Sequence, residues 1–323
     1  MSLNQKNILP NSFVYIFMIS LIYGIIAGEG FYGYSNDYYE EYFKSNLIYP
    51  SIREKLGSIL STLTIYNIHI GVHLTSFFLS FTTGVILKSI FTVKNLNSLM
   101  FFIFILVLIL HTHPIIMSTS GAMRQGWTMC FVFLSFAMIV NKKNLLSFFF
   151  ITIGVFLHKS GLFFLIIYLI NLVIFRILKN TKHKKSFVFI SGFVIFILSS
   201  VGLYFTGLSS LSHRIVHGDF RSLWLLVNIS FIFFYFFTFK INVADGIKEL
   251  NMYLFFFCCS VPAFFFMGLN WQYERINMII AIPLILLVGC KFTKNSSYLY
   301  LPLVFGVYLF LTIFQGMYTI GLT

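Results

Sequence analysis

NLLSFFFITIGVFLHKSGLFFLIIYLINLVIFR, running from Asn144 to Arg176, carries the clearest signature of the architecture. Two apolar runs, 144–157 and 160–176, meet at the polar break Leu157-His-Lys-Ser-Gly161. A chain that turns back between two such runs is folding inside a bilayer, where roughly 20 apolar residues make one helical crossing. The shorter first run requires a broken or tilted helix, or residues borrowed from its flanks.

The same pattern recurs outward in both directions. The 323 residues are 59% hydrophobic and 20% aromatic, with 10% charged; a soluble domain carries about a quarter charged residues. Apolar runs between polar breaks predict eleven membrane helices, over about 10–28, 68–91, 98–117, 124–140, 144–157, 160–176, 187–205, 222–239, 250–269, 276–290 and 298–316. The fold class is all-α, a polytopic membrane protein forming one transmembrane domain over 1–323. Its longest extramembrane piece is a loop over 29–67, with a surface helix expected over Gly57 to Asn67. Pro10 to Gly28 reads as the first span and not as a cleavable signal, because no small-residue cleavage site follows a short apolar core. Within it, Gly24 and Gly28 form a GxxxG that predicts close helix packing. Cys130, Cys258, Cys259 and Cys290 all lie in apolar runs without metal-ligand spacing and read as small buried hydrophobes.

The formal charge of +13 is explained by sidedness. With the N-terminus cytoplasmic and the C-terminus extracytoplasmic, the inner loops hold 14 basic residues and two acids, Asp245 and Glu249, and the outer loops eight basic residues and seven acids. This is the positive-inside asymmetry, and it leaves no charge that calls for nucleic acid. Thirteen of the 14 inner basic residues are lysine, whereas five of the eight outer ones are arginine. Arginine grips phosphate and carboxylate in a planar fork that lysine cannot copy, so the skew points to anion binding outside. Seven of the eight histidines, His69, His73, His111, His113, His158, His213 and His217, also fall near outer helix ends.

Polar groups concentrate in a few places. The loop Gly30 to Tyr42 includes Asp37, Tyr38, Tyr39, Glu40 and Glu41, tyrosine beside carboxylate, which suits sugar stacking as well as an interfacial aromatic belt. Arg124 and Gln125 open the fourth span, where a helix N-terminus bearing an arginine favours an anion. His158 and Lys159 lie in the break between spans five and six. Trp271, Tyr273, Glu274 and Arg275 form a compact acid, base and aromatic cluster entering span ten. The loop from His213 to Arg221 adds Arg214 and Arg221. No glycine-rich phosphate loop and no dinucleotide fingerprint is present, so energy for outward-facing chemistry has to arrive in an activated, lipid-linked substrate.

Taken in order, Asp37-Tyr38 after span one, Arg124-Gln125 at a helix start, His158 before a Ser/Gly/aliphatic helix and Arg275 near a late helix start resemble the EpsG family of bacterial polysaccharide polymerases, within the broader O-antigen polymerase (Wzy-like) group. The resemblance implies a C-type glycosyltransferase-like membrane enzyme in the bacterial inner membrane that joins lipid-linked oligosaccharide repeats of O-antigen, lipopolysaccharide or another surface polysaccharide at the outer face. Undecaprenyl-pyrophosphate-linked donor and acceptor are then the expected partners, with membrane lipids and a chain-length regulator beside them.

Such a reaction needs a base near the acceptor hydroxyl and cations on the departing pyrophosphate. Arg124 and Arg275 are the expected pyrophosphate ligands, with Arg214, Arg221 and Lys159 in support and Gln125 also at the substrate. His158, Glu274 and Asp37 are the base candidates, and Tyr38, Tyr39, Trp271 and Tyr273 the sugar platform. No acid pair of the DxD kind implies a metal, and no cofactor is expected. A lipid-linked oligosaccharide flippase or transporter is the first alternative, although near-uncharged mid-helix positions speak against it. A membrane O-acetyltransferase is the second; its cytoplasmic acyl donor would have to reach an outer site.

Overall fold

The computed structural model describes residues 12–30, 68–91, 93–158, 160–205, 221–238, 244–291 and 297–314. Among them every element is helical: α1 (Ser12–Gly28), α2 (Ile68–Ile90), α3 (Leu96–Leu110), α4 (His113–Ile116), a π-helical turn (Met117–Gly121), α5 (Met123–Val140), α6 (Asn144–Leu157), α7 (Ser160–Leu178), α8 (Lys184–Phe205), α9 (Arg221–Thr238), α10 (Asp245–Ser260), α11 (Pro262–Phe266), α12 (Asn270–Lys291) and α13 (Ser297–Phe314). Each of the eleven expected runs coincides with a helix or a broken pair. Six helices are long and apolar enough to cross a membrane alone, and a bent pair makes a seventh; Ser12–Gly28, Asn144–Leu157 and Trp224–Phe236 are shorter apolar helices.

Three expectations change. The third run is not one straight helix: α3 stops at Leu110, and the chain bends by 61° into the segment His113–Thr119. Pro114 has no N–H to continue the ladder, and Thr112 restarts the helix with an extended backbone. The run expected over 276–290 begins at Asn270, so the Trp271–Arg275 cluster is part of α12 itself. Glu249, read as a loop acid, lies inside α10 and is 5% exposed. The surface helix expected over 57–67 and nearly all of the loop 29–67 lie outside the described residues.

Packing follows membrane rules, in which small residues and hydroxyls draw helices together. Gly24 and Gly28 sit against α2, and a side chain at Gly28 would fall on the His73 ring. Several buried hydroxyls are satisfied by their own helix: Ser20 donates to the Ile16 carbonyl at 2.7 Å, and Thr83 to that of Leu79 at 2.7 Å. Others cross between helices. Tyr23 donates to the Leu110 carbonyl at 2.9 Å, Tyr253 to that of Phe164 at 3.0 Å, and Ser135 and Ser147 share a 2.8 Å bond. Cys130, Cys258 and Cys259 are buried free thiols.

Two turns close with the same device. Lys143 N–H reaches the Met138 carbonyl and Lys142 N–H that of Ile139, with Lys142 at φ 59°. Leu269 and Gly268 repeat this on Phe264 and Phe265, with Gly268 at φ 73°. Both satisfy the last carbonyls of a helix before the chain reverses, the Schellman arrangement. At the centre, α10 touches α5, α7, α8, α9 and α12, while α12 touches α2, α4, α5, α9 and α13. That crossing of long helices sets the position of the polar cluster.

Candidate functional site

The π-helical turn delivers the chain into α5. Ala122, its last linker, donates its N–H to the Met117 carbonyl at 2.7 Å. Gly126 lies so close to this turn that a Cβ there would strike the Ser118 carbonyl. Glycine is therefore needed for close approach, and it brings the first turn of α5 against the broken segment. π-Helical turns concentrate at functional sites because they re-aim one helix face at little cost in hydrogen bonds.

Across from it stands the first part of α12. The Gln125 side-chain amide donates to the Arg275 carbonyl at 2.8 Å. This single bond joins residues 150 apart in sequence and places Arg124, Gln125, Glu274 and Arg275 at one end of the bundle. Gln125 is 1% exposed and Glu274 5%, whereas both arginines are half-buried. The cluster thus joins two half-buried arginines to a buried acid and a buried amide. Gln125 acts here as a clamp between α5 and α12.

Tyr273 belongs to the interior. It is fully buried, and its hydroxyl accepts from Asn228 at 3.1 Å. The Asn228 amide also donates to the Asn277 side-chain oxygen at 3.0 Å, and the Asn277 amide donates to the Tyr273 carbonyl at 2.9 Å. This places the ring in the helix bundle and ties α9 to α12 through Tyr273 and Asn277, the residues on either side of Arg275 along the helix. Arg221 begins α9 and Trp271 lies in the first turn of α12.

His158 reaches the same end by way of α6. Leu157 joins Val72, Met123 and Trp127 in a small apolar cluster, so the residues just before His158 and Arg124 pack together. The Ser160 N–H donates to His158 Nδ1 at 3.2 Å, and the Ser160 hydroxyl lies 2.9 Å from the same nitrogen. A nitrogen that accepts a backbone N–H carries no proton, which assigns the ring proton to Nε2. His158 thereby caps α7 in this state and offers Nε2–H as a donor. Gly161 allows the turn by packing against Gly154, whose carbonyl accepts from the His158 N–H at 3.3 Å and the Thr128 hydroxyl at 3.3 Å.

The other histidines divide. His73 Nδ1 donates to the Gly24 carbonyl at 2.9 Å, and its Nε2 is 3.7 Å from Glu29. His111 Nδ1 donates to the Val107 carbonyl at 2.8 Å, ending α3. Helix ends therefore account for a good part of the histidine asymmetry. His113, 1% exposed beside the π-helical turn, is a site neighbour that the sequence reading did not separate from the rest. Pro114 followed by Ser118-Thr-Ser-Gly121 was the available signal for a break there. Among the described residues no group of three or more His, Cys, Asp or Glu could hold a metal ion. Asp37, Tyr38, Tyr39, Lys159 and Arg214, with His213 and His217, lie outside the described residues.

The EpsG family model matches the chain over residues 12–322. No curated protein and no solved structure matches it.

Proposed function

We infer function from the premise that this chain belongs to the EpsG family, whose model covers nearly its whole length. That makes it a polysaccharide-related membrane protein, in a family associated with glycosyltransferase-like polymerases. The finer reading is a polymerase of undecaprenyl-pyrophosphate-linked repeat units, acting at the outer face of the inner membrane with the N-terminus cytoplasmic. The Gln125–Arg275 bond supports it best, because it brings two arginines and a carboxylate from distant helices to one end of the bundle.

In the reaction, an acceptor sugar hydroxyl attacks the anomeric carbon of the donor glycan. The carbon–oxygen bond to pyrophosphate breaks, the hydroxyl proton passes to a base, and the lipid pyrophosphate leaves with the bonding pair. Arg124 and Arg275 hold that pyrophosphate and stabilise its growing charge. Glu274, next to Arg275 on α12, and Asp37 are the carboxylate candidates for the base. His158, with its proton on Nε2, suits donation to a leaving or bridging oxygen; work as a base requires Nδ1 to leave Ser160.

The test is polymerisation of purified lipid-linked repeat units by the protein in liposomes. His158→Ala is expected to lose about 10²-fold or more if it carries a proton in the reaction. If it keeps more than a tenth of parental turnover while Glu274→Gln or Asp37→Asn is dead, His158 is only a cap for α7. Transport of single repeats without chain growth would replace the polymerase by a flippase. Cysteine labelling at Asp219 and Lys182 checks the orientation: modification of Asp219→Cys only from the cytoplasm reverses it and removes the outer site.

A further inference from the structure

Beside the Asn228–Tyr273–Asn277 network, α9, α12 and α13 part to leave a cavity of about 500 Å³. Its walls are apolar: Phe231 and Phe234 from α9, Ala281 and Leu284 from α12, Val304 and Val307 from α13, with Ser230 among the few polar groups. Leu226, 64% exposed, and Val307, 51% exposed, form its outer lips, so the trough opens sideways to the surrounding membrane. From Trp224 to Phe234 it follows α9 for about 15 Å, half of a hydrocarbon layer roughly 30 Å thick.

The two ends of the trough differ in chemistry. At the outer end, Trp224 and Leu226 line the wall, and Asn228, whose amide holds Tyr273 and Asn277, lies on α9 between the lining residues Val227 and Ser230. Beyond it, α9 starts at Arg221, one turn before Trp224, and Arg275 stands about 9 Å outward from Ala281 along α12. The helices α9 and α12 are two spans apart and run in the same direction, so both positive helix ends lie at this mouth. An electropositive mouth above an apolar trough fits an anionic head carrying a hydrocarbon tail.

We propose that the trough between α9, α12 and α13 seats the proximal part of the polyisoprenoid tail of the lipid-linked donor, aligning its pyrophosphate with Arg275. This rests on the polymerase reading for the identity of the head. The tail then contributes to donor binding and not only to membrane residence, and its far part remains in the bilayer.

Full-length protein in liposomes is photolabelled with undecaprenyl pyrophosphate bearing a diazirine in the tail near the head. Cross-links are expected on the α9 and α13 walls, removed by unlabelled undecaprenyl pyrophosphate and not by phosphatidylglycerol. Ala281→Phe and, on the lip, Val307→Trp fill the trough. Either is expected to reduce labelling and to raise KM for an undecaprenyl-linked donor by about tenfold or more, while a donor with a two-isoprene tail is unaffected. Equal competition by phosphatidylglycerol, cross-links elsewhere, or equal effects on both tail lengths would overturn the assignment. Specific labelling of the walls in a protein that makes no polymer keeps the trough and removes the polymerase reading. Polymer formation with unaltered long-tail KM in both variants does the reverse.

Discussion

The helices α8 and α10 pack against each other, and they obey opposite rules. The span built on α8 is the more apolar of the two, yet only 17% of it is buried, against 89% for the span of α10 and α11. Phe189, Phe193 and Leu198 of α8 point outward, and only a narrow stripe, Val188, Gly192 and Ile195, is buried. Buried α10 carries Glu249, Asn251, Cys258, Cys259 and Ser260 among its phenylalanines. In water the most apolar helix would go inside. In lipid, tails solvate an apolar face as well as protein does, so the interior goes to helices that gain from close packing and polar contacts. The inversion is itself a mark of a membrane fold, and it says that side-chain value depends on facing, not on hydropathy.

The largest effect that this contrast predicts is at Phe257 of α10, which is 0% exposed and packs 4.7 Å from the Phe164 ring and 5.1 Å from that of Phe163. Phe257→Ala should cost about 3–5 kcal/mol by opening a cavity, read as a lower unfolding temperature in detergent. A shift no larger than that of an α8 surface variant would break the contrast.

Next come the half-buried arginines at the α5 and α12 starts. Arg124→Lys and Arg275→Lys should each lose about 1.5–3 kcal/mol of transition-state stabilisation, ten- to a hundredfold in turnover, with little change in stability. Normal polymer length in both, at equal protein level, would remove their role on the pyrophosphate.

Gln125→Leu sharpens the comparison from the interior side. It leaves the Arg275 carbonyl without its 2.8 Å donor and should lower stability by about 1–2 kcal/mol. Because α12 then loses its tie to α5, donor KM should rise together with the loss of stability. A fall in turnover with unaltered unfolding temperature would instead make Gln125 a substrate contact.

The smallest effect belongs to α8. Phe193, 59% exposed, should tolerate alanine within about 0.5 kcal/mol. A large penalty there would show that another helix or a second copy covers this face.

How much of this could be read without a structure depends on range. Residues 144–176 announce two helices and a turn by themselves, since apolar runs and the His158–Gly161 break are local features. Gly24 and Gly28 could be seen as a close-packing pair, and His73 is what they pack against. The break at Thr112–Pro114 was harder, because the apolar residues resume at Ile115–Met117 and hydropathy over the whole run hides the bend that His111–Pro114 marks. Arg124, Gln125, Glu274 and Arg275 stood out by residue type at helix starts. Their meeting did not, since it hangs on a bond between positions 150 apart. Tyr273 shows the limit most clearly: its composition context is that of a sugar platform, and its placement is that of a core tyrosine held by Asn228.

Composition and local pattern alone established that this chain is a bundle of membrane helices, the place of most helices and turns, and which helix starts carry arginine. Those follow from solvation, because each apolar run answers to the bilayer independently of its neighbours. Tertiary structure alone decided which faces meet: that α10 goes inside and α8 outside, that Gln125 clamps α12, and that three helices leave an apolar trough below the arginine end. Lipid solvates every apolar face alike, so only shape, small residues and hydrogen bonds between distant helices can choose among them.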